Sequence, residues 1–332
     1  MSGASESIGS ISCEEIARAV ERIGAWVHQT PVLTSKALDD RCGGRLFLKC
    51  ENFQRVGAFK FRGAMNAILQ LSDAEKAAGA ITHSSGNHAQ AVALAGKTTG
   101  VATCVVMPST APAIKRAATE GYGARVVACE PTLAAREQTV ADLIARHGYT
   151  LIHPFDDWRV IAGQGTAAWE LLDQAGPLDL IVVPVGGGGL LAGTALAVEA
   201  KSPGTNVAGA EPSAADDARR SLAAGTILPS GDPRTVADGL RTSLGKRPYS
   251  IISRLVKTIA VATDREILDA TRFVWERFKI VVEPSAAVPI AAILNGSIPV
   301  QNLRVGVIVS GGNLDLEPFF SSLIRKWVES DA

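Results

Sequence analysis

Nine short apolar, β-branched runs recur along this chain, most of them separated by stretches of helical spacing, and this alternation limits the possible folds more than any other feature. The runs are Arg45–Cys50, Ala80–His83, Ala102–Met107, Ala124–Cys129, Thr150–His153, Leu180–Val185, Asn206–Ala210, Thr258–Val261 and Arg304–Val309. A helix between two strands carries the chain back over the sheet, so the strands end up parallel. The pattern predicts a parallel α/β architecture. Ile11 to Trp26 has helical spacing with Ser12 at the N-cap, and His28-Gln-Thr-Pro31 ends it. The βα units between about Gly79 and Pro154 predict a small domain, 76–155, inserted into a larger one made of 1–75 and 156–332. The turn-rich passage Leu228 to Tyr249 reads as a loop long enough to be functional.

The chain's 332 residues exceed one typical domain. Its 33 basic residues balance 33 acidic ones, so no net field recruits nucleic acid or an anionic membrane, and a small bound molecule is the expected partner. Five cysteines, Cys13, Cys42, Cys50, Cys104 and Cys129, are odd in number and form no CxxC, which argues against a disulfide framework or a zinc site. Met1 to Glu15 is polar and acidic, unlike a secretory signal. The apolar stretch Leu178 to Val198 is broken by Pro184 and by glycines 186–189, which suits strand, turn and helix better than a membrane span. A cytoplasmic location is expected.

Four stretches carry chemistry. In Gly57-Ala-Phe-Lys-Phe-Arg-Gly63, Lys60 stands between Phe59 and Phe61 where a helical pattern begins. An ammonium among apolar groups loses hydration, its pKa falls, and the free amine can attack a carbonyl and form a Schiff base; a lysine snorkelling from a first helical turn is the plainer alternative. Pro184-Val-Gly-Gly-Gly-Gly-Leu190 joins a strand to a helix. Without side chains, its successive N–H groups can turn on an anion, so it reads as a phosphate cradle. No Lys-Ser/Thr follows, and the spacing departs from GxGxxG, so neither a Walker loop nor a dinucleotide fingerprint is present. Thr82-His-Ser-Ser-Gly-Asn-His-Ala-Gln90 also lies between strand and helix. Its Ser84, Ser85, Gly86, Asn87 and His88 could hold a substrate carboxylate, with helix capping as the alternative; His83 and His88 read as structural histidines. Ser310, in Val307-Ile-Val-Ser-Gly-Gly-Asn313, points a hydroxyl where ligands bind at the carboxyl ends of a parallel sheet, unless it only closes an ST-turn.

Together Gly57-Ala-Phe-Lys-Phe-Arg-Gly63, Ser84-Ser-Gly-Asn-His88, Gly186 to Gly189, Ala237-Asp-Gly239 and Ser310-Gly-Gly-Asn313 resemble the serine/threonine dehydratase and serine racemase family of fold-type II pyridoxal-phosphate enzymes, over about Gln29 to Leu316. The resemblance implies a tryptophan synthase β-like fold, with two open, twisted, mostly parallel sheets flanked by helices. It implies pyridoxal 5'-phosphate linked to Lys60 beside Phe59, with Asn87 on its phenolic oxygen, its phosphate on Gly186, Gly187, Gly188, Gly189 and Leu190, and its ring nitrogen facing Ser310. A neutral serine there makes the ring a weaker electron sink than a carboxylate partner would, which favours loss of a β-hydroxyl. Ala210-Glu-Pro-Ser-Ala-Ala-Asp-Asp217 resembles the divalent-cation site of the racemase branch. Glu211, the Ala215 carbonyl and Asp217 would hold Mg2+ or Ca2+ there, or else form an acidic helix start.

The reading this supports is an ammonia-lyase for small β-hydroxy amino acids, with L-threonine and L-serine first. Serine racemase and threo-3-hydroxyaspartate ammonia-lyase are the alternatives. Ser85 stands where racemases and hydroxyaspartate dehydratases of the family carry serine and threonine dehydratases alanine, and it could act on the face opposite Lys60. Phe155, in His153-Pro-Phe-Asp156, points the other way, toward threonine dehydratases. Arg136 and Arg241 could pair with a substrate β-carboxylate. The chain ends before a regulatory domain of the biosynthetic dehydratase kind would begin, and a homodimer is usual for the family. From a different class, a nicotinamide-dependent oxidoreductase would leave Lys60 without a role, and a non-catalytic ligand-binding module is the third possibility.

Overall fold

A computed structural model of the chain describes residues 10–111 and 113–316. The polar start before residue 10 and the chain end beyond 316 lie outside the described residues. In chain order the elements are α1 (Glu14–Ile23), β1 (Val32–Leu33), α2 (Lys36–Cys42), β2 (Arg45–Cys50), α3 (Lys60–Leu69), α4 (Asp73–Ala78), β3 (Ala80–His83), α5 (Asn87–Thr99), β4 (Thr103–Pro108), α6 (Ala113–Gly121), β5 (Arg125–Cys129) and α7 (Leu133–His147). They continue with β6 (Thr150–Leu151), α8 (Trp158–Ala175), β7 (Leu180–Pro184), α9 (Gly189–Lys201), β8 (Asn206–Pro212), α10 (Asp217–Ala224), α11 (Lys246–Leu255), β9 (Thr258–Ala262), α12 (Asp264–Phe278), α13 (Pro284–Leu294) and β10 (Arg304–Val309).

The strands form a six-stranded sheet in the order β1-β2-β10-β7-β8-β9 and a four-stranded sheet in the order β5-β4-β3-β6. Every pairing is parallel except β1 with β2. Both faces of the larger sheet are buried, so its strands are apolar without alternation. Leu46, Leu48, Val182 and Val307 face one core with α13, while Phe47, Ile181, Val183 and Ile308 face the other with α8 and α9. No helix among the described residues is long and apolar enough to cross a membrane.

Three expectations shift. The first helix is capped by Cys13 rather than Ser12, with no side-chain cap. The two-residue strand β1 was too short to give a pattern. The strand expected over Thr150–His153 stops at Leu151, because His153 Nδ1 accepts the N–H groups of Phe155 (3.3 Å) and Asp156 (2.9 Å) and turns the chain.

Loops 51–59, 310–313 and 185–188 leave the carboxyl ends of β2, β10 and β7. Loops 84–86 and 152–157 leave those of β3 and β6. Both sets are the ends where α/β sheets bind ligands.

Candidate active site

Loop 51–59 is fastened to the loop after β10. Ala58 and Gly311 form an isolated antiparallel bridge, Phe59 N–H donates to the Ser310 carbonyl at 3.0 Å, and Gly312 N–H donates to the Gly57 carbonyl at 3.0 Å. Val56 within it has φ +54°, a strained conformation for a β-branched residue that costs about 1–3 kcal/mol and needs support from its surroundings. Asn313 supplies it, donating from Nδ2 to the Val56 carbonyl at 2.6 Å. A Cβ on Gly57 (φ +68°) would come within 2.7 Å of Asn313 Oδ1, so only glycine allows this approach.

The fastened loop delivers Lys60 as the first residue of α3. Its Nζ lies 5.0 Å from the centre of the Phe59 ring and donates to the Pro154 carbonyl at 2.9 Å. Burial lowers its pKa to about 8, against the opposing pull of Glu283. Phe61 does not flank the amine as expected. Successive helical residues point about 100° apart, and Phe61 packs in a separate core with Met65, Ile68 and Val92. Two residues along, the fully buried Arg62 donates to Glu51 Oε2 (2.7 Å) and Glu170 Oε1 (2.7 Å). Lys49 donates to Glu170 Oε2 at 2.8 Å, so this charged cluster locks α3 to β2 and α8.

Val185 through Leu190 are buried, and Gly188 has φ +84°. Among the described residues, no protein acceptor takes the N–H groups of Gly186, Gly187 or Gly188. A Cβ on Gly187 would fall 2.2 Å from the Phe155 ring. Buried amides without acceptors, at the start of α9, fit a phosphate.

Asn87 is the first residue of α5. The N-cap is Gly86, without a side-chain cap, so the capping alternative for this motif does not hold. Ser84 Oγ accepts the Gly86 N–H at 3.2 Å. Asn87 Nδ2 donates to Glu283 Oε1 and Oε2, each at 3.1 Å, and Asn313 Nδ2 donates to Asn87 Oδ1 at 2.9 Å. Ser310, 3% exposed, sits beside this network at the end of β10. His88 is buried with Nε2 3.1 Å from the Ile152 carbonyl, and burial holds its pKa well below the ordinary range. Burial likewise lowers His83 and His153 to about 4. His88 therefore supports the loop as a neutral ring rather than offering charge to a carboxylate. His83, His153 and Phe155 stack edge to face, at 5.3 Å and 4.7 Å, and lead to the glycine loop.

The two arginines differ. Arg241 is exposed and donates from Nε to the Thr235 carbonyl at 2.9 Å. Arg136, on α7, has a buried Nε with no hydrogen-bond partner among the described residues, and its charge acts on His83.

Farther out, Glu211 and Asp217 are both fully buried. Glu211 accepts the N–H groups of Ala218 (3.1 Å) and Arg219 (2.8 Å), and Asp217 Oδ2 accepts that of Leu244 (2.8 Å). The acidic helix-start alternative is thus partly right, but Asp217 Oδ1 is buried without a partner among the described residues. Arg219 and Arg220 turn to Asp216 instead. Burial raises Glu211 to about 8 and Asp217 to about 6. No cluster of three or more His, Cys, Asp or Glu suited to a metal occurs among the described residues. Two buried acids, with only the more distant Arg220 charge acting on Asp217, do fit a hard cation that backbone carbonyls and water help to hold.

An activated lysine, an acceptor-free glycine cradle and a strand-end serine suit pyridoxal phosphate, and the chain matches the pyridoxal-phosphate dependent enzyme family over residues 23–311. It belongs to that family. This pyridoxal-phosphate dependent enzyme is 47% identical over 313 residues to L-threo-3-hydroxyaspartate ammonia-lyase of Saccharomyces cerevisiae, covering 94% of this chain and 96% of the relative. It is 46% identical over 315 residues to serine racemase of Dictyostelium discoideum, covering 94% and 97%. The crystal structure of a T.th. threonine deaminase superposes with a TM-score of 0.87 at 47% identity, covering 92% of this chain and 99% of that one. The fold is accordingly that of the fold-type II enzymes.

Glu283 was missed in the sequence. It is the only charged residue between Lys279 and Arg304, a signal that a helix N-cap explains equally well.

Proposed function

We propose that this enzyme is an ammonia-lyase for threo-3-hydroxyaspartate, in place of the threonine and serine deamination first expected. The observation that carries this reading is Arg136, whose guanidinium has a buried Nε unpartnered among the described residues and suits a second carboxylate that threonine and serine lack. The names of the relatives support the hydroxyaspartate and racemase alternatives better than the first reading.

Pyridoxal phosphate, when bound, withdraws electrons from the substrate Cα and acidifies its hydrogen. Gly186 to Gly189 and Leu190 would hold its phosphate, Asn87 its phenolic oxygen and Ser310 its ring nitrogen. Lys60 would anchor its carbonyl carbon and, once released as a free amine, remove the α-proton. Ser84, Ser85, Gly86 and the helix-start amide of Asn87 would receive the substrate's α-carboxylate. Racemisation is the second reading. It is favoured by Ser85, which serves as no cap and could return a proton on the face opposite Lys60.

Glu211, Asp217 and the Ala215 carbonyl would hold Mg2+ or Ca2+. The small domain over 76–155 is supported by the four-stranded sheet, whose strands all fall between Ala80 and Leu151; the outer ends of the large domain, 1–75 and 156–332, lie outside the described residues. A homodimer rests on family habit, and a cytoplasmic location on five free cysteines.

Turnover on L-threo-3-hydroxyaspartate, L-threonine and L-serine, with product chirality followed, tests the reading. Hydroxyaspartate should give the highest kcat/KM, and Arg136→Gln should lower it about a hundredfold or more while leaving serine largely unaffected. Preference for threonine together with a neutral Arg136→Gln would return the enzyme to the threonine and serine dehydratases.

A further inference from the structure

Three of the motifs are built around a carboxyl that belongs to none of them. Glu283 precedes α13 and is 4% exposed, but it makes no side-chain cap for that helix. Its carboxylate instead receives Asn87 Nδ2 from the Ser84-Ser-Gly-Asn-His88 loop. A Cβ on Gly311 of the Ser310-Gly-Gly-Asn313 loop would come within 2.9 Å of Oε1, and one on Gly239 of Ala237-Asp-Gly239 would reach 4.0 Å. The Gly311 carbonyl also accepts the Glu283 N–H at 3.1 Å.

We propose that Glu283 is a positioning residue that fixes the Asn87 carboxamide and thereby directs the hydrogen bond Asn87 offers to the bound cofactor. The inference rests on the pyridoxal-phosphate reading of this site. The orientation is forced from both ends, because a backbone carbonyl and a carboxylate can only accept. The Val56 carbonyl requires a donor from Asn313, so Asn313 Nδ2 faces it. The second hydrogen of that NH2 goes to Asn87 Oδ1, which leaves Asn87 Nδ2 facing Glu283. One Asn87 N–H is spent on the carboxylate and one remains for a ligand. Without the acceptor at Glu283 the carboxamide is held only through Oδ1 by Asn313, and its N–H groups are left free to tilt away from the ligand.

The charged groups that face Glu283 are Lys60 on α3, Lys115 on α6 and Asp238, and Lys115 and Asp238 pair at 2.8 Å. Burial pushes the Glu283 carboxyl up to about 7. The acceptor therefore changes strength around pH 7.

The test uses the enzyme loaded with pyridoxal phosphate, and Glu283→Gln, Glu283→Ala, Asn87→Ala and the double alanine variant. The readouts are the visible band of the bound cofactor from pH 6 to 9 and the cofactor dissociation constant. Glu283→Gln, the variant closest in shape, should alter the pH dependence of the band while keeping affinity within about threefold. Glu283→Ala and Asn87→Ala should each weaken cofactor binding about tenfold, and the double variant should be no weaker than Asn87→Ala alone, because the two act as one unit. Additive losses in the double variant, or a Glu283→Gln spectrum that matches the parent at every pH, would overturn the inference. A parent protein that never develops the band would overturn the cofactor reading itself, a result separable from either.

Discussion

Lys60, lowered to about 8 by burial, carries a free amine in roughly a tenth of molecules one pH unit below that value. That population can link to the cofactor without help from a neighbouring base. Lys60→Ala should remove turnover and the visible band of bound pyridoxal phosphate while the far-ultraviolet circular dichroism stays unchanged, because the amine's hydrogen bond among the described residues is to the Pro154 carbonyl alone. Ser85→Ala should spare elimination from the L-substrate at a substantial fraction of the parent rate and suppress α-proton exchange from the D-enantiomer. If it instead abolished L-elimination as completely as Lys60→Ala, Ser85 would belong to the main path. The candidate site's residue types stand out in the chain because Lys, Gly, Ser and Asn would each suit one task in the proposed site. Glu283 could not, since an acid ahead of a proline at a helix start looks the same whether it caps its own helix or reaches across to Asn87.

At the scale of elements, α3 matters because its first residue is Lys60 and its third is Arg62. The guanidinium is spent on the fully buried Glu51 and the largely buried Glu170, so removing it leaves Glu51 with only the Thr30 hydroxyl and Glu170 with Lys49, and no charge opposes Glu51 directly. Arg62→Met should destabilise the protein by about 3–5 kcal/mol, whereas the exposed Arg18→Met on α1 should cost at most about 1 kcal/mol. Urea midpoints of the two variants decide this, and equal shifts would mean the cluster is not what secures α3. Most strands were legible because both faces of the larger sheet are buried and the runs are continuous. The ends of β6 and α1 were not, because a histidine side chain and a backbone cap set them and neither leaves a periodic trace.

For the molecule as a whole, the proposed cation site at the buried pair Glu211 and Asp217 would link ion binding to pH and stability. A carboxyl raised in the folded state to about 8, as Glu211 is, binds more protons folded than unfolded. Its contribution is therefore fully present below the ordinary carboxylate range and is lost as pH rises toward 8. Burial lowers His83 and His153, which act in the opposite sense, but only below the ordinary histidine pKa. Between pH 7 and 8 the protein in chelator should thus lose stability. Added Mg2+ or Ca2+ should raise the melting temperature more at pH 8 than at pH 7, since binding must displace the protons. A melting curve indifferent to chelator and ion at both pH values would remove the cation site. The sequence by itself determined the parallel α/β class, the glycine cradle, the lysine and the strand-end serine, because each rests on local periodicity or on a residue type that the backbone conformation demands. Only the tertiary structure decided that Phe61 leaves the amine, that the buried Arg136 Nε has no partner among the described residues, and that one carboxyl joins three motifs. The last of these depends on a pairing across 196 residues, and such a distance leaves no periodic signal in the chain.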